Sequence, residues 1–336
     1  MGKMIKNFNE NKISVALCTY NGGLYLREQL ESILKQTLSP DEVIVCDDFS
    51  TDATIKILEE FRRKSFTSVK VYCNKENLGV SKNFEKAISL CSGDIIFLSD
   101  QDDVWLPNKI EKICKVFETN PKCSYIFSDA YIVDKDLKSL GYTMFQSINF
   151  NKSNRKQFYE GKQLNILLGG NVVTGATLAF RSKMKNFIIP IPKIWLHDAW
   201  IAIIGSILGE GYFIEEPLIY YRQHNYQLTG GKRLGIKEKL KRGLSRNITD
   251  YAFDIQKYKI LNDRIIKISG KINKEIENKI LFLSQRIKIY KTTNIFNMTI
   301  LFQESFNGRY FKYSSGFKSI IKDIFTFFKS YINRKD

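Results

Sequence analysis

Three carboxylates fall within four residues at Asp100-Gln101-Asp102-Asp103. Like charges that close repel one another unless a cation or hydrogen-bond donors compensate. A hard divalent ion, Mg²⁺ or Mn²⁺, shared between one or two carboxylates and the phosphates of a ligand, is the natural partner. A turn capping the helix that starts near Pro107 accounts for one of these aspartates and leaves the others unexplained. A second pair, Asp47-Asp48, can accept a hydrogen bond from a nucleobase imide N–H. Taken alone, it reads as a β-to-α turn with a helix-capping acid. Asp198 follows His197 and sits between Trp195 and Trp200. Aromatic flanks would desolvate its carboxyl, raise its pKa above the usual ~3.9 and make it a better base near neutrality. Alone, Asp198 reads as a surface acid or helix cap. His224 is one of only two histidines. A lone histidine is more often structural, but a neutral imidazole is also a fitting third ligand beside a diphosphate–metal complex.

The elements that must position these groups alternate over the first 135 residues. Lys12 to Cys18, Glu42 to Cys46, Val69 to Cys73, Asp94 to Ser99 and Cys123 to Phe127 are short apolar runs that predict strands. Between them, Leu26, Leu30, Ile33 and Leu34 share one helical face. A second helix runs through Phe61 with Ser50 or Thr51 as its N-cap, and a third covers Asn83 to Leu90. Pro107 opens a fourth, with Ile110, Ile113, Val116 and Phe117 on one side. This order predicts an α/β fold with a mostly parallel sheet and helices on both faces. Ligands of such sheets bind beyond the carboxyl ends of the strands. Polar clusters stand at three of those ends: Thr19-Tyr20-Asn21, Asp47-Asp48 and Asp100 to Asp103. No GxGxxG or Walker sequence is present, which argues against the dinucleotide-binding and P-loop classes.

The 336 residues are 43% hydrophobic and 13% aromatic, enough for a substantial core. None of the six cysteines is spaced as CxxC, which favours reduced, buried thiols over a disulfide framework or a zinc site. The polar N-terminus and the short apolar run Ile201 to Leu208 predict neither a leader nor a membrane-spanning helix. Charge is uneven. Gly231 to Asp336 holds 24 Lys and Arg against 9 Asp and Glu, net +15, while the other 230 residues hold 28 against 26, net +2. A near-neutral body with a basic helical tail suggests that the tail meets an anionic surface. Near the end, Ile320, Ile321, Ile324, Phe325, Phe328, Tyr331 and Ile332 share one helical face. Embedding of this stripe in a membrane surface and packing of it on protein both remain open at the level of sequence.

ISVALCTYNG, EVIVCDDFSTDAT, NKENLGVSKNF, GDIIFLSDQDDVWLPNKI, TGATLAFR, HDAWIA and YYRQHNYQLTG together resemble glycosyltransferase family 2 enzymes of the GT-A fold. They run in family order over about residues 12 to 230, and YRQH is similar to rhamnosyltransferase-like members that build bacterial surface polysaccharides. The resemblance implies a GT-A domain over 1–230, with a nucleotide-binding half (1–135) and an acceptor half (136–230), followed by a basic, mainly α-helical region (231–336). It further implies an inverting, metal-dependent transfer from a nucleoside-diphosphate sugar to a hydroxyl of a glycan or lipid-linked glycan. Carried over by residue, Thr19, Tyr20, Asn21, Asp47, Asp48, Asn77 and Gly79 would line the nucleotide pocket, with Asp48 at the base and Asp100 at the ribose or metal. Asp102 and Asp103, with His224, would hold Mg²⁺ or Mn²⁺, and Asp198 would be the general base. A cytoplasmic location follows, with the basic tail as a peripheral contact on the inner face of the membrane. Two departures fall on the acceptor side: Gly175-Ala176-Thr177 replaces the family's GCT, and Gln227 stands where Asn is usual.

Two other classes are weighed. A sugar-phosphate nucleotidyltransferase also uses carboxylates, metal and an α/β sheet, but TYNGG lacks the basic residue of its phosphate loop. A nucleic-acid-binding protein would interleave basic and aromatic residues on its folded body; here the body is near neutral, so no nucleic-acid partner is expected.

Overall fold

The computed structural model describes residues 11–224, 245–291 and 298–332. The chain divides into two units, Met1–Lys152 with Val173–Lys232 and Ser153–Val172 with Arg233–Asp336.

The first unit is built on a nine-stranded sheet whose main path runs β3-β2-β1-β4-β8-β6-β9-β5. Strands β1 (Ile13–Thr19), β2 (Glu42–Asp47) and β4 (Ile95–Ser99) are buried along their whole length. Continuous burial is expected of parallel strands covered by crossover helices. With β3 (Ser68–Cys73) they pair in parallel, in a register that sets Thr19 beside Asp47 and Leu17 beside Ser99. The carboxyl ends of β1, β2 and β4 therefore lie side by side. Helices α1 (Leu26–Leu34), α2 (Thr54–Lys64) and α3 (Val80–Leu90) connect these strands and bury Leu26, Leu30, Ile33, Ile57, Leu58, Phe84 and Ile88. Full burial of each such side chain contributes about 1.5–3 kcal/mol. The N-cap of α2 is Ala53 rather than Ser50 or Thr51, because both of those residues bond across to the β1–α1 loop.

Beyond β4 the sheet changes character. A two-residue strand, β5 (Val104–Trp105), follows the acidic cluster directly and pairs antiparallel with the far end of the last strand, setting Val104 beside Tyr220. After α4 (Lys109–Thr119), the expected strand at Cys123 continues to Val133 as β6. It carries the short β7 (Ser139–Thr143) on one flank and is followed by α5 (Met144–Ser147). α6 (Lys152–Tyr159) and α7 (Gln163–Gly169) come next. β8 (Leu178–Arg181) then inserts antiparallel between β4 and β6. α8 (Lys185–Ile188) and α9 (His197–Leu208) lead into β9 (Glu210–Arg222), which runs parallel to β6. The fold is the mixed α/β architecture expected, with a mainly parallel sheet.

The second unit is helical: α10 (Ile248–Ser269), α11 (Lys274–Lys291), α12 (Met298–Phe306), α13 (Arg309–Tyr313) and α14 (Phe317–Ile332). Its composition differs from the expected division at residue 230, because Ser153–Val172 groups with it. α7 packs on α11 and α13, an arrangement that local pattern does not encode. At its centre, Arg286 forks onto both oxygens of Asp323 at 2.7 Å, and Tyr290 and Tyr310 donate their hydroxyls to the same carboxylate at 2.5 and 2.6 Å. The stripe read on α14 is reversed in part. Ser319, Lys322, Asp323 and Phe327 are buried, and Ile321, Phe325 and Phe328 are exposed. Tyr331 and Ile332 lie outside the residues whose side chains are described, as does Gln227. Among the described residues, no helix is long and apolar enough to cross a membrane. All six cysteines are free, and only Cys73 among them is exposed rather than buried.

Candidate active site

Two loops at the carboxyl edge are stitched together by side chains acting on backbone. Thr19 donates its hydroxyl to Asp47 Oδ1 at 2.7 Å, and Asp47 also takes the N–H and hydroxyl of Ser50. Asn21 N–H donates to Ser50 Oγ, and Thr51 N–H to Asn21 Oδ1. Gly22 and Gly23 N–H donate to Thr54 and Asp52. Gln101, from the acidic cluster, exchanges two bonds with the Tyr20 backbone at 2.8 and 3.0 Å. A Cβ at Gly22 would sit 2.1 Å from Gln101 Oε1, so a side chain there would push Gln101 off the Tyr20 backbone. Asn21 (φ 48°) and Phe49 (φ 70°) hold left-handed conformations, strain of the kind that recurs at ligand-binding loops.

Asp47 is 1% exposed with its carboxylate used on Thr19 and Ser50, so it faces the loops it ties. Asp48 is also buried. It receives Asn74 Nδ2 and the N–H groups of Leu78 and Gly79 at 2.8–2.9 Å, and Asn77 Nδ2 reaches its carbonyl at 3.4 Å. Asp48, Asn77 and Gly79 thus form one brace, and the positive φ of Gly79 (81°) lets its N–H turn inward. A carboxylate offers about four acceptor positions, of which three are occupied.

Asp100, Asp102 and Asp103 follow β4 directly. Burial drives the Asp100 carboxyl up to about 7, aided by the charges of Asp102 and Asp198, against the pull of Lys109. Burial also pushes Asp103 well above the carboxylate range, with Asp102 and Asp100 adding to it. Asp103 is fully buried. Its Oδ1 accepts the Arg222 N–H at 3.2 Å, and its Oδ2 has no hydrogen-bond partner among the described residues. Asp102 is the more accessible and pairs with His224 Nε2 at 2.8 Å. Tyr221 feels the charges of Asp100, Asp102, Asp103 and Asp198 together, and Cys18 those of Asp100 and Asp48. The acids converge on one edge of the sheet.

Asp198 lies in the first turn of α9, with Gly175 N–H donating to its Oδ2 at 3.2 Å. Of the expected aromatic flanks, Trp200 is a core residue whose Nε1 donates to Ile188 O. His197 stacks on Phe84 at 3.9 Å, and burial drives its imidazole down to about 3, so it is neutral at physiological pH. It packs against the Gly175 turn so closely that a Cβ there would lie 2.7 Å from Nε2.

The sequence model for glycosyl transferase family 2 matches residues 14–185, just over half of the chain. The chain belongs to glycosyltransferase family 2. Among its relatives, the dTDP-rhamnosyl transferase RfbG of Shigella flexneri is 32% identical over 248 residues, 69% of this chain and 79% of that one. An uncharacterized glycosyltransferase of Nostoc sp. is 28% identical over 220 residues, 63% of this chain and 65% of that protein, so the match spans less than two thirds of its length. Of solved structures, S. aureus TarS residues 1–349 in complex with UDP-GlcNAc gives a TM-score of 0.56 at 17% identity, covering 96% of this chain and 91% of that one. The mannosyltransferase PcManGT from Pyrobaculum calidifontis, in complex with GDP-Man and Mn²⁺, gives 0.50 at 14%, covering 98% and 89%. At such identities the likeness is one of fold.

In this family 2 chain, several organising residues lie beside the motif carboxylates and are not picked out by sequence reasoning. Arg222 is 1% exposed; it donates to Asp102 O at 2.9 Å, bonds Lys135 O and Glu28, and lies 4.4 Å over the Tyr25 ring. Lys109 is buried 3.6 Å over the Trp105 ring and donates to Ala176 O at 2.7 Å; burial pushes its ammonium pKa well down. The available signal is a cation six residues past the cluster, and another two before His224. Among the described residues, no three His, Cys, Asp or Glu side chains are gathered as a complete metal cage. Mg²⁺ and Mn²⁺ are usually bound through one or two carboxylates plus substrate phosphates, so Asp102 fits that role, with His224 paired to it at 2.8 Å. The partnerless Asp103 oxygen and the raised Asp100 and Asp103 carboxyls mark a cluster short of positive charge, which is the electrostatic condition such an ion relieves.

Proposed function

We propose that this chain is an inverting, metal-dependent glycosyltransferase that moves a sugar from a nucleoside-diphosphate donor to a hydroxyl of a glycan or lipid-linked glycan in surface-polysaccharide synthesis. The observation that carries the reading is the convergence of Asp100, Asp102, Asp103 and Asp198 within electrostatic reach of one another, beside the nucleotide-side loops braced by Asp48.

Thr19, Tyr20, Asn21 and the Asp48–Asn77–Gly79 brace shape the nucleotide pocket, with Asp48 on the side of the base. Asp100 meets the ribose or the metal side of the diphosphate. Asp102 and His224 would hold Mg²⁺ or Mn²⁺, which would supply Lewis-acid relief of charge on the departing diphosphate. Asp103 and Arg222 fix the backbone that presents Asp102. Asp198 takes the proton from the acceptor hydroxyl as its oxygen bonds to the anomeric carbon. The carbon–oxygen bond to the diphosphate breaks on the opposite face, and the nucleoside diphosphate leaves with the electron pair. The Gly175 N–H keeps the Asp198 carboxylate turned to the acceptor.

RfbG is named for dTDP-rhamnose transfer, and the two solved structures hold UDP-GlcNAc and GDP-Man, so these three donor types form the first panel. One donor is expected to be consumed with release of nucleoside diphosphate and an inverted anomeric configuration in the product, read by NMR. Release of pyrophosphate, or retention of configuration, contradicts the proposal.

A further inference from the structure

Helix α14 turns polar side chains inward and leaves part of its apolar surface outside, with Ile320 and Ile324 half-buried between the two faces. The face turned into the helical unit carries Ser319, Lys322, Asp323 and Phe327, and the face turned to solvent carries Phe317, Ile321, Phe325 and Phe328. These four recur at helical spacing along one stripe. Ile321 and Phe325 are 66% and 67% exposed, and Phe317 is joined edge-on at 4.8 Å by the exposed Phe311 of α13. A soluble helix ordinarily arranges these chemistries the other way round, and a contiguous exposed apolar patch of this kind marks an interaction surface.

The charges around the stripe say what covers it. From Met298 to Phe328 the only acidic residues are Glu304 and Asp323, 3% and 0% exposed, paired with Arg309 and Arg286. The surface of α12 to α14 therefore shows bulky apolar groups with Lys318 exposed beside the stripe; Arg309 and Lys312 are paired with Glu304 and Glu275, and Lys322 is buried. The region from Gly231 onward is net +15. A second copy seated on this face would set Lys318 against Lys318 with no exposed carboxylate of α12 to α14 to meet it, whereas an anionic lipid leaflet meets both the charge and the apolar wedge. We propose that α14 docks on an anionic membrane surface, with Phe317, Ile321, Phe325 and Phe328 entering the headgroup–acyl boundary. This holds whichever acceptor the glycosyl transfer uses.

The test is co-sedimentation of the full chain with phosphatidylcholine vesicles, with and without phosphatidylglycerol, for the wild type and an Ile321→Ser/Phe325→Ser/Phe328→Ser variant. These side chains are exposed, so the variant is expected to keep the wild-type thermal melt and donor binding. The wild type is expected to sediment with anionic vesicles and to release as salt is raised. The variant is expected to partition at least about tenfold more weakly, since insertion strength follows the apolar area buried. Three results overturn the proposal: no binding to phosphatidylglycerol vesicles, equal binding to phosphatidylcholine alone, or unchanged binding by the variant. A wild-type dimer that the variant turns into a monomer, with no vesicle binding, also overturns it and makes the face a self-association surface. Donor binding is read in the same samples, so failure here is distinguishable from failure of the glycosyltransferase reading.

Discussion

Buried charge is handled in opposite ways in the two units. In the helical unit, Asp323 is closed off: both oxygens are gripped by Arg286, and two tyrosine hydroxyls complete the shell. In the sheet unit, three carboxylates sit together at the tip of β4 and one oxygen of Asp103 has no hydrogen-bond partner among the described residues. Their nearest cations, Lys109 and Arg222, also bond backbone carbonyls. Removing charge from water costs several kcal/mol per ion unless partners compensate. Asp323 has a closed shell of partners, and the β4-tip acids have an open one, which the proposed donor–metal complex would fill.

Substitutions break that comparison in opposite directions. The largest effect is on turnover. Asp198→Asn is expected to lower kcat about 10²–10⁴-fold while leaving donor binding and the unfolding midpoint near wild type, because a positioned base contributes to the reaction alone; steady-state kinetics beside a urea titration reads both. Next comes Asp323→Ala, which leaves Arg286 buried and unpaired. A loss of about 3–5 kcal/mol of stability is expected, read as collapse of hydrogen-exchange protection in α11 and α14, whereas the paired replacement Arg286→Met/Asp323→Leu restores most of it. Gly22→Ala is milder. The new methyl displaces Gln101 from Tyr20, and donor affinity is expected to fall about tenfold, or about 1.4 kcal/mol, with little change in kcat at saturating donor.

An effect on stability alone, with none on turnover, depends on pH. Lys279 is buried with its ammonium on Tyr313 O, and burial lowers its pKa to about 7. The unfolded chain keeps that proton up to about pH 10.4. The unfolded state therefore binds more protons between these values, and stability of the helical unit rises with pH across that window; the penalty is fully present below about pH 7. One proton limits the slope to about 1.4 kcal/mol per pH unit. Lys279→Met should flatten it in denaturation curves taken at pH 7 and pH 9.

The strands that position the site were legible because each is a continuous apolar run ending in a polar cluster. Ile13–Thr19, Glu42–Asp47 and Ile95–Ser99 depart from the sequence reading by about one residue. Features that depend on distant partners were not legible. β5 is two residues long and exists because β9 returns beside it, and Ser128-Asp129-Ala130 masks the continuation of β6. The role of Arg222 as a strut needs the pairing of β5 with β9, which brings residues 102 and 222 together. Likewise the α14 pattern showed an apolar stripe but could not say that Asp323, not Ile321, would turn inward to meet Arg286.

The central claim is that the β4-tip acids await a cation-bridged sugar nucleotide, and donor-induced thermal stabilisation with and without Mn²⁺ tests it most directly. The account predicts that the matching donor raises the melting temperature only when Mn²⁺ is present, and that Asp102→Ala abolishes the rise. An equal rise without metal, or an undiminished one in Asp102→Ala, would contradict it.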